Sequence, residues 1–142
     1  FQVWQTPRFT GGGEENGMDR TLVVLEGESL ENWTEAVEVL TVPKKDIFKD
    51  PKKTYEALRA QRLQYCASVK DSVLASGKES ILYSMVSDSC LVESSRERSV
   101  TRILCGKKST FVIIYTAKFE ADSLAREEKA TAALRAASVK KT

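Results

Sequence analysis

The residue types that most often carry out chemistry in proteins are sparse in this chain, which contains no histidine among its 142 residues. Imidazole is the commonest general base and the commonest nitrogen ligand for metals. A Ser-His-Asp triad, a Cys-His dyad and a histidine-based zinc or iron site are therefore excluded. Carboxylates, lysines, tyrosines and three cysteines remain. From their spacing we predict no catalytic group, no metal site and no cofactor.

Two acidic residues have a spacing that general acid-base catalysis would need. Glu31 and Glu35 lie one turn apart if their segment is helical, and their carboxylates would then share one face. Both residues belong to a strongly acidic stretch that we expect to be exposed. We therefore predict that the protein is not an enzyme, with a carboxylate enzyme as the alternative.

The three cysteines separate into a pair and a single residue. Cys66 lies at the end of a predicted helix, and Cys90 lies in a polar loop after a predicted strand. A disulfide between them would close a loop of about 25 residues and contribute roughly 3 kcal/mol, and it would imply an oxidising compartment. Cys105 lies in an apolar strand, so we expect a buried thiol. The alternative is three reduced thiols in a cytosolic protein.

Charge is distributed unevenly along the chain, although the formal net charge is only +2. Residues 14–38 contain eight acids and one arginine, whereas residues 44–70 contain eight basic residues and three acids. The basic segment would attract an acidic protein or an anionic membrane surface, although a merely solvated face gives the same pattern. The candidate partner-binding residues are Lys44, Lys45, Lys49, Lys52, Lys53 and Arg59. Nucleic-acid binding is not expected, because no recognition motif accompanies these charges.

The length and composition indicate one globular domain. We assign residues 1–142 to a single domain with a flexible glycine-rich loop at about residues 10–18. The chain is 42% hydrophobic and 30% charged, and no apolar run approaches the roughly 18 residues of a transmembrane helix. It begins at Phe1 without a leader-like segment, so we expect a trimmed or processed form.

The elements of the first half follow from apolar periodicity and turn residues. The aromatic start predicts a short docked strand, residues 20–26 predict a buried strand, and the β-branched run that ends at Pro43 predicts another. Asp50 followed by Pro51 is typical of a helix start. This helix should run to about Ala67. Its predicted inward stripe consists of Tyr55, Leu58, Arg62, Leu63 and Cys66.

The second half is predicted to be an antiparallel sheet closed by a helix. Strands are expected at 81–86, 100–104 and 111–119, with a hairpin loop at Gly106 to Ser109. An alanine-rich helix should follow at about 122–139. The predicted fold class is therefore α+β, with a twisted antiparallel sheet flanked by two main helices.

From Arg20 onward, the chain resembles small bacterial envelope proteins and lipoproteins with the PsbP/DcrB-like α/β sandwich. The resemblance rests on GESLENWTEAVEV, on a helix that ends near YCASV, on a second cysteine after a strand, and on the hairpin ILCGKKSTFVIIYTAKF. It implies a twisted antiparallel sheet flanked by helices, a periplasmic location and a non-enzymatic role. It also suggests a bridge between Cys66 and Cys90.

The leading hypothesis is a non-catalytic envelope protein that binds a protein partner, as an accessory component of a secretion or surface assembly that serves virulence. One alternative is a small-ligand or lipid carrier, with Trp33, Tyr83, Phe111 and Tyr115 lining a cavity between sheet and helix. A second alternative is a cytosolic adaptor or chaperone. Peripheral association with a membrane is compatible with the basic segment.

Overall fold

A computed structural model describes residues 4–5, 19–29, 33–90, 97–118 and 123–136 of the chain. Over these ranges, one antiparallel sheet carries a helix on each of its faces. The prediction of an α+β protein with two main flanking helices is confirmed. The glycine-rich loop predicted at about residues 10–18 lies outside the described residues.

The sheet contains seven strands in the described part of the chain. They are β1 (Trp4–Gln5), β2 (Asp19–Leu25), β3 (Glu35–Pro43), β4 (Cys66–Ser76), β5 (Ser80–Cys90), β6 (Glu97–Cys105) and β7 (Ser109–Lys118). The helices are a 3₁₀ helix (Asp46–Lys49), α1 (Pro51–Tyr65) and α2 (Ser123–Ala136). The strand order is β1-β2-β3-β7-β6-β5-β4, and all neighbours are antiparallel.

The connection through α1 determines the order of the strands in the sheet. β3 and β4 run in the same direction with three strands between them, so α1 must cross one face of the sheet to reach the far edge. Strands β4 to β7 then form a meander that returns to β3, where Pro43 pairs with Ser109. Alternate turns of a meander lie at the same end of a sheet. The β4–β5 and β6–β7 turns therefore lie at the same end of the sheet as the carboxyl end of β3.

The start of α1 follows its sequence signal. The Asp50 carboxylate accepts a hydrogen bond from the backbone N–H of Lys52 at 2.9 Å, and Pro51 occupies the first helical position. The cap satisfies one of the backbone donors that a helix start leaves free. The predicted start of the helix is therefore confirmed.

The inward stripe of α1 is only partly as predicted. Tyr55 and Leu58 pack on the sheet, whereas Leu63 is 44% exposed. The helix ends at Tyr65 because the backbone of Cys66 is already extended and begins β4. The chain therefore enters the edge strand directly from the helix.

Alternating residues of the central strands form a core on each face. Tyr55 and Leu58 of α1 pack against a cluster built on Ile81, Tyr83, Met85, Ile103 and Val112. On the opposite face, Leu134 of α2 packs with Leu82, Val100, Tyr115 and Ala117. Successive residues of a strand point to opposite faces, which is why β5 and β7 contribute to both clusters. Within the described ranges, neither helix is long and apolar enough to cross a bilayer.

The edge strand β4 is absent from the sequence prediction. Few side chains of β4 are packed: Val69 lies against the α1-side cluster and Ala75 against the opposite one, whereas Val73 is 46% exposed, so the apolar pattern is weak. Its pairing with β5 shifts between Val73 and Ala75, which leaves Leu74 in a β-bulge. The prediction that Cys90 lies in a loop is wrong, because it is the last residue of β5.

Candidate functional site

Lysines from three separate stretches of the chain gather at one end of the sheet. The stretches are residues 44–53, the β4–β5 turn and the β6–β7 turn. We call this surface the lysine end, and its lysines are Lys44, Lys45, Lys49, Lys52, Lys53, Lys78, Lys107 and Lys108. All except the half-buried Lys44 are exposed. Three acids lie in the same stretches: Asp46, Asp50 and Glu79.

Hydrogen bonds fix the first of these stretches on the ends of β6 and β7. The backbone N–H of Lys44 donates to the carbonyl of Lys108 at 3.0 Å. The Phe48 carbonyl, within the 3₁₀ helix, accepts from the Thr110 hydroxyl at 2.5 Å and from the Cys105 thiol at 3.6 Å. The backbone that carries these lysines therefore has a defined position on the sheet.

Thr54 connects the 3₁₀ helix to α1. Its side chain is fully buried, and its hydroxyl lies 2.8 Å from the Ile47 carbonyl and 2.9 Å from the Asp50 carbonyl. One hydroxyl thus bonds to both elements of the first stretch. We infer that Lys49, Lys52 and Lys53 are carried on a single rigid unit.

The two turns of the lysine end have the same sequence pattern, Gly-Lys-X-Ser. In each turn the glycine N–H donates to the serine carbonyl at 2.8 Å, from Gly77 to Ser80 and from Gly106 to Ser109. The Cys105 N–H also donates to the Glu79 carbonyl at 2.8 Å, which connects the two turns. The exposed lysines of both turns are therefore carried by short, hydrogen-bonded loops.

The charges of the lysine end are not neutralised by neighbouring acids. In the described part of the chain, the salt bridges involve Arg20, Arg59 and Arg62, and none involves a lysine of this surface. Eight positive charges against three negative ones produce a positive potential that attracts anionic groups. The chemistry that this surface offers is binding of acidic groups.

Arg59, the sixth predicted partner-binding residue, has another environment. It lies midway along α1, where its Nε is 2.9 Å from a carboxylate oxygen of Asp71 on β4, and the Tyr55 hydroxyl donates to the same carboxylate. Burial raises the pKa of Tyr55, and the hydrogen bond to Asp71 raises it further. Burial of Asp71 opposes ionisation, yet the hydrogen bonds from Tyr55 and Arg59 outweigh it and lower the pKa of Asp71. Arg59 therefore binds α1 to the edge strand.

Three lysines of the surface were missed by the sequence prediction. Lys78, Lys107 and Lys108 are remote in sequence from residues 44–53, so only the topology brings them together. The repeated Gly-Lys-X-Ser pattern is the signal that would have identified them. It marks two turns of one meander that must lie at the same end of the sheet.

The strand register places the two predicted disulfide partners opposite each other. Cys66, the buried first residue of β4, is the pairing partner of Cys90 at the end of β5. Directly opposed residues of antiparallel strands have Cα atoms about 4.5 or 5.5 Å apart, and disulfides span about 4.4–6.8 Å. This backbone pairing suits a bridge, which stays a prediction. Cys105 is a buried free thiol.

Glu35, the described member of the acidic pair proposed for catalysis, does not lie in a helix. Glu35 begins a strand, so helical spacing to Glu31 does not apply, and Glu31 itself lies outside the described residues. Glu35 is 1% exposed and accepts a hydrogen bond from the hydroxyl of Tyr115. The Glu35 carboxylate is therefore buried and hydrogen-bonded within the core.

The four aromatic residues proposed for a carrier cavity are separated by the sheet. Tyr83 belongs to the α1 face, whereas Tyr115 belongs to the α2 face, and strand alternation places Phe111 there as well. Trp33 precedes β3, and its ring lies 4.8 Å from the ammonium group of Lys118. These four residues do not line one common cavity.

Comparison with known proteins adds no assignment to this geometry. No protein-family model matches the chain, and no curated protein matches it. The functional interpretation therefore rests on the lysine end and on the other contacts described above.

Proposed function

We propose that this chain is a non-catalytic protein-binding domain of the bacterial cell envelope and that its lysine end docks onto an acidic surface of a partner protein. The observation that carries the proposal is the convergence of eight lysines from three stretches of chain on one end of the sheet. Their backbone is held by hydrogen bonds before any partner binds, so docking would order little more than the side chains.

A protein surface fits the lysine end better than an anionic membrane does. Asp46 and Glu79 are exposed among the lysines. Charges within the Debye length of about 8 Å act on each other at physiological salt. An evenly anionic surface would repel both acids, whereas a protein partner can place a lysine or arginine opposite each of them. Such alternating complementarity would also give specificity.

The envelope location is supported by two features of the chain. The resemblance to small envelope proteins with a PsbP/DcrB-like sandwich suggests the periplasm. The backbone pairing of Cys66 with Cys90 suits a disulfide, which is stable in an oxidising compartment. Within the envelope, a role as accessory component of a secretion or surface assembly fits a domain that acts through binding alone.

Charge reversal tests the docking surface directly. The test variant carries Lys45→Glu, Lys49→Glu and Lys107→Glu, which changes two lysines of residues 44–53 and one lysine of the β6–β7 turn. The control variant carries Lys70→Glu, Lys129→Glu and Arg135→Glu, which are exposed elsewhere. Binding of fluorescein-labelled poly-glutamate is measured by anisotropy at low and at physiological salt. We expect roughly tenfold weaker binding for the test variant, since three exposed charge pairs at about 0.2–1 kcal/mol each are lost.

The controls decide between a specific surface and general basicity. Equal losses in the two variants would show that overall charge alone attracts the probe, and the proposal would then be wrong. Binding to phosphatidylglycerol vesicles in the absence of binding to poly-glutamate would assign the surface to membranes instead, which also overturns the proposal.

Thiol counting tests the proposed compartment. Protein is taken from its native host, trapped with an alkylating agent under denaturing conditions, and weighed intact with and without reduction. We expect one reactive thiol, at Cys105, and three after reduction, with a peptide joining Cys66 to Cys90. Three reactive thiols before reduction would contradict the bridge and favour a cytosolic adaptor.

A further inference from the structure

A groove lies between α1 and the sheet, away from the lysine end. Its volume is about 260 Å³ and it opens to solvent along one side. The lining residues come from α1 and from three adjacent strands: Leu58, Gln61, Arg62 and Tyr65, then Tyr83, Met85, Ser99, Thr101 and Ile114. Of the four aromatic residues of the predicted carrier cavity, Tyr83 lines this groove and the other three do not.

The interior of the groove is mainly apolar, with hydroxyl groups at its base. Leu58, Met85 and Ile114 provide the apolar walls. The strand residues Tyr83 and Thr101 are 3% and 2% exposed, and they lie directly opposite each other in the pairing of β5 with β6. Burial raises the pKa of Tyr83 to about 12, so its hydroxyl stays protonated at physiological pH. An apolar group of a ligand would thus meet apolar walls and neutral polar groups.

A positively charged side chain lies at the open side of the groove. Arg62 is the charged residue of the described lining, and one third of its side chain is exposed. Its guanidinium lies 3.7 Å from a carboxylate oxygen of Glu97, about 0.8 Å beyond the length of a charge-assisted hydrogen bond. A guanidinium has five donors, and this long contact leaves it able to bind a second carboxylate.

We propose that the groove binds a small amphipathic carboxylate. The carboxylate would pair with Arg62, and the apolar part would lie on Leu58, Met85 and Ile114. A water molecule in the liquid occupies about 30 Å³, so a groove of about 260 Å³ admits on the order of nine non-hydrogen atoms. Short-chain aliphatic acids have this size and polarity. The inference is independent of partner docking at the lysine end.

A titration with hexanoate, followed by amide chemical shifts of the ¹⁵N-labelled protein, tests the site. The neutral probe 1-hexanol has the same chain without the charge. We expect both probes to shift amides near Leu58, Met85 and Thr101, with hexanoate binding more tightly. Arg62→Gln should weaken hexanoate binding about tenfold or more and leave hexanol unchanged, because a hydrogen bond to a charged group is lost. Arg135→Gln on the exposed face of α2 is the matched control.

Two further variants keep the test decisive if Arg62→Gln is unstable. Gln61→Trp, at an exposed position on the rim, should fill the opening and reduce the binding of both probes. Glu97→Gln should tighten hexanoate binding several-fold, because the acid that competes for Arg62 is removed.

Three outcomes would overturn the proposal. The first is the absence of shifts around the groove at millimolar concentrations of either probe. The second is hexanoate shifts that concentrate on the lysine end, which would mean nonspecific anion binding. The third is equal affinity for hexanoate and hexanol with no effect of Arg62→Gln, which would leave an apolar cleft without carboxylate recognition.

Discussion

The two helices cover opposite faces of one sheet by different means. α1 has a capping carboxylate at its start, two partly buried side chains packed against the core, and a polar cluster in which Tyr55 and Arg59 both bind Asp71 of the edge strand. α2 packs on β6 and β7 through Leu134, which is buried, and Ala130, which is partly buried. Directional contacts thus fix α1, whereas the core contacts described for α2 come from Leu134 and the small side chain of Ala130.

This difference between the two helices indicates which of them has to be positioned accurately on the sheet. α1 carries two lysines of the proposed docking surface and Arg62 at the mouth of the groove, so a rotation or shift of this helix would alter both. Hydrogen bonds have preferred directions, whereas apolar contacts do not. The described side chains of α2 line neither of these sites, and a helix that only covers the core can rely on packing.

The largest effect is expected from Leu134→Ala. Leu134 is the buried side chain among those described on α2, and Leu134→Ala removes its packing against the sheet. Leucine-to-alanine changes in cores cost about 2–5 kcal/mol, and we expect about 3 kcal/mol in urea unfolding. Amide exchange should accelerate in α2 more than in α1. Arg135→Ala, next to it on the exposed side, should stay within about 0.5 kcal/mol of the wild type.

An intermediate effect is expected from Asp71→Asn. The change weakens the acceptor of Tyr55 and Arg59, and we expect a loss of about 2 kcal/mol at pH 7. Because the pKa of Asp71 is lower in the folded than in the unfolded state, its contribution is present above the unfolded value of about 3.9 and is lost as the pH falls through the folded value.

The matched control for this prediction is Asp46→Asn at an exposed position. Urea unfolding at several pH values should show the stability gap between wild type and Asp71→Asn closing below about pH 4. A gap that persists unchanged into strong acid would mean that packing, and not the ionised carboxylate, accounts for the loss.

The smallest effect is expected from Asp50→Ala. Removing the cap of α1 should cost about 1 kcal/mol, since the N–H of Lys52 loses its acceptor. Amide exchange should increase in the first turn of α1 and remain unchanged beyond Tyr55, where the polar cluster holds the helix. Asp50→Ser should restore most of the stability. Loss of protection along the whole helix would contradict the view that directional contacts hold α1.

Local signals in the sequence predicted the helix starts and most strands, but not the edge strand. Asp50 and Pro51 act on the next few residues only, so their meaning does not depend on the rest of the fold. β4 lacks such a signal, because most of its side chains are exposed at the edge of the sheet, where polar residues such as Lys70 and Ser72 are tolerated. The position of Cys90 was wrong for a related reason, since a strand that ends in the polar run SDSC resembles a loop.

The candidate sites were predictable only where they are local in sequence. Lys44 to Lys53 form one stretch and were identified from charge alone. The lysines of the two turns join them through strand order, which a single sequence does not reveal. The groove depends in the same way on α1 crossing β5 and β6, so the sequence predicted Arg62 on the inward stripe of the helix without indicating a binding site there.

The β-bulge at Leu74 has a consequence for behaviour at high concentration. β4 is an outer strand, and its free backbone groups could pair with the same strand of another molecule and extend the sheet from copy to copy. The bulge interrupts the regular spacing of those groups and increases the local twist. A second copy therefore cannot form an uninterrupted ladder along the whole of β4, and the bulge shortens the regular edge that two copies could share.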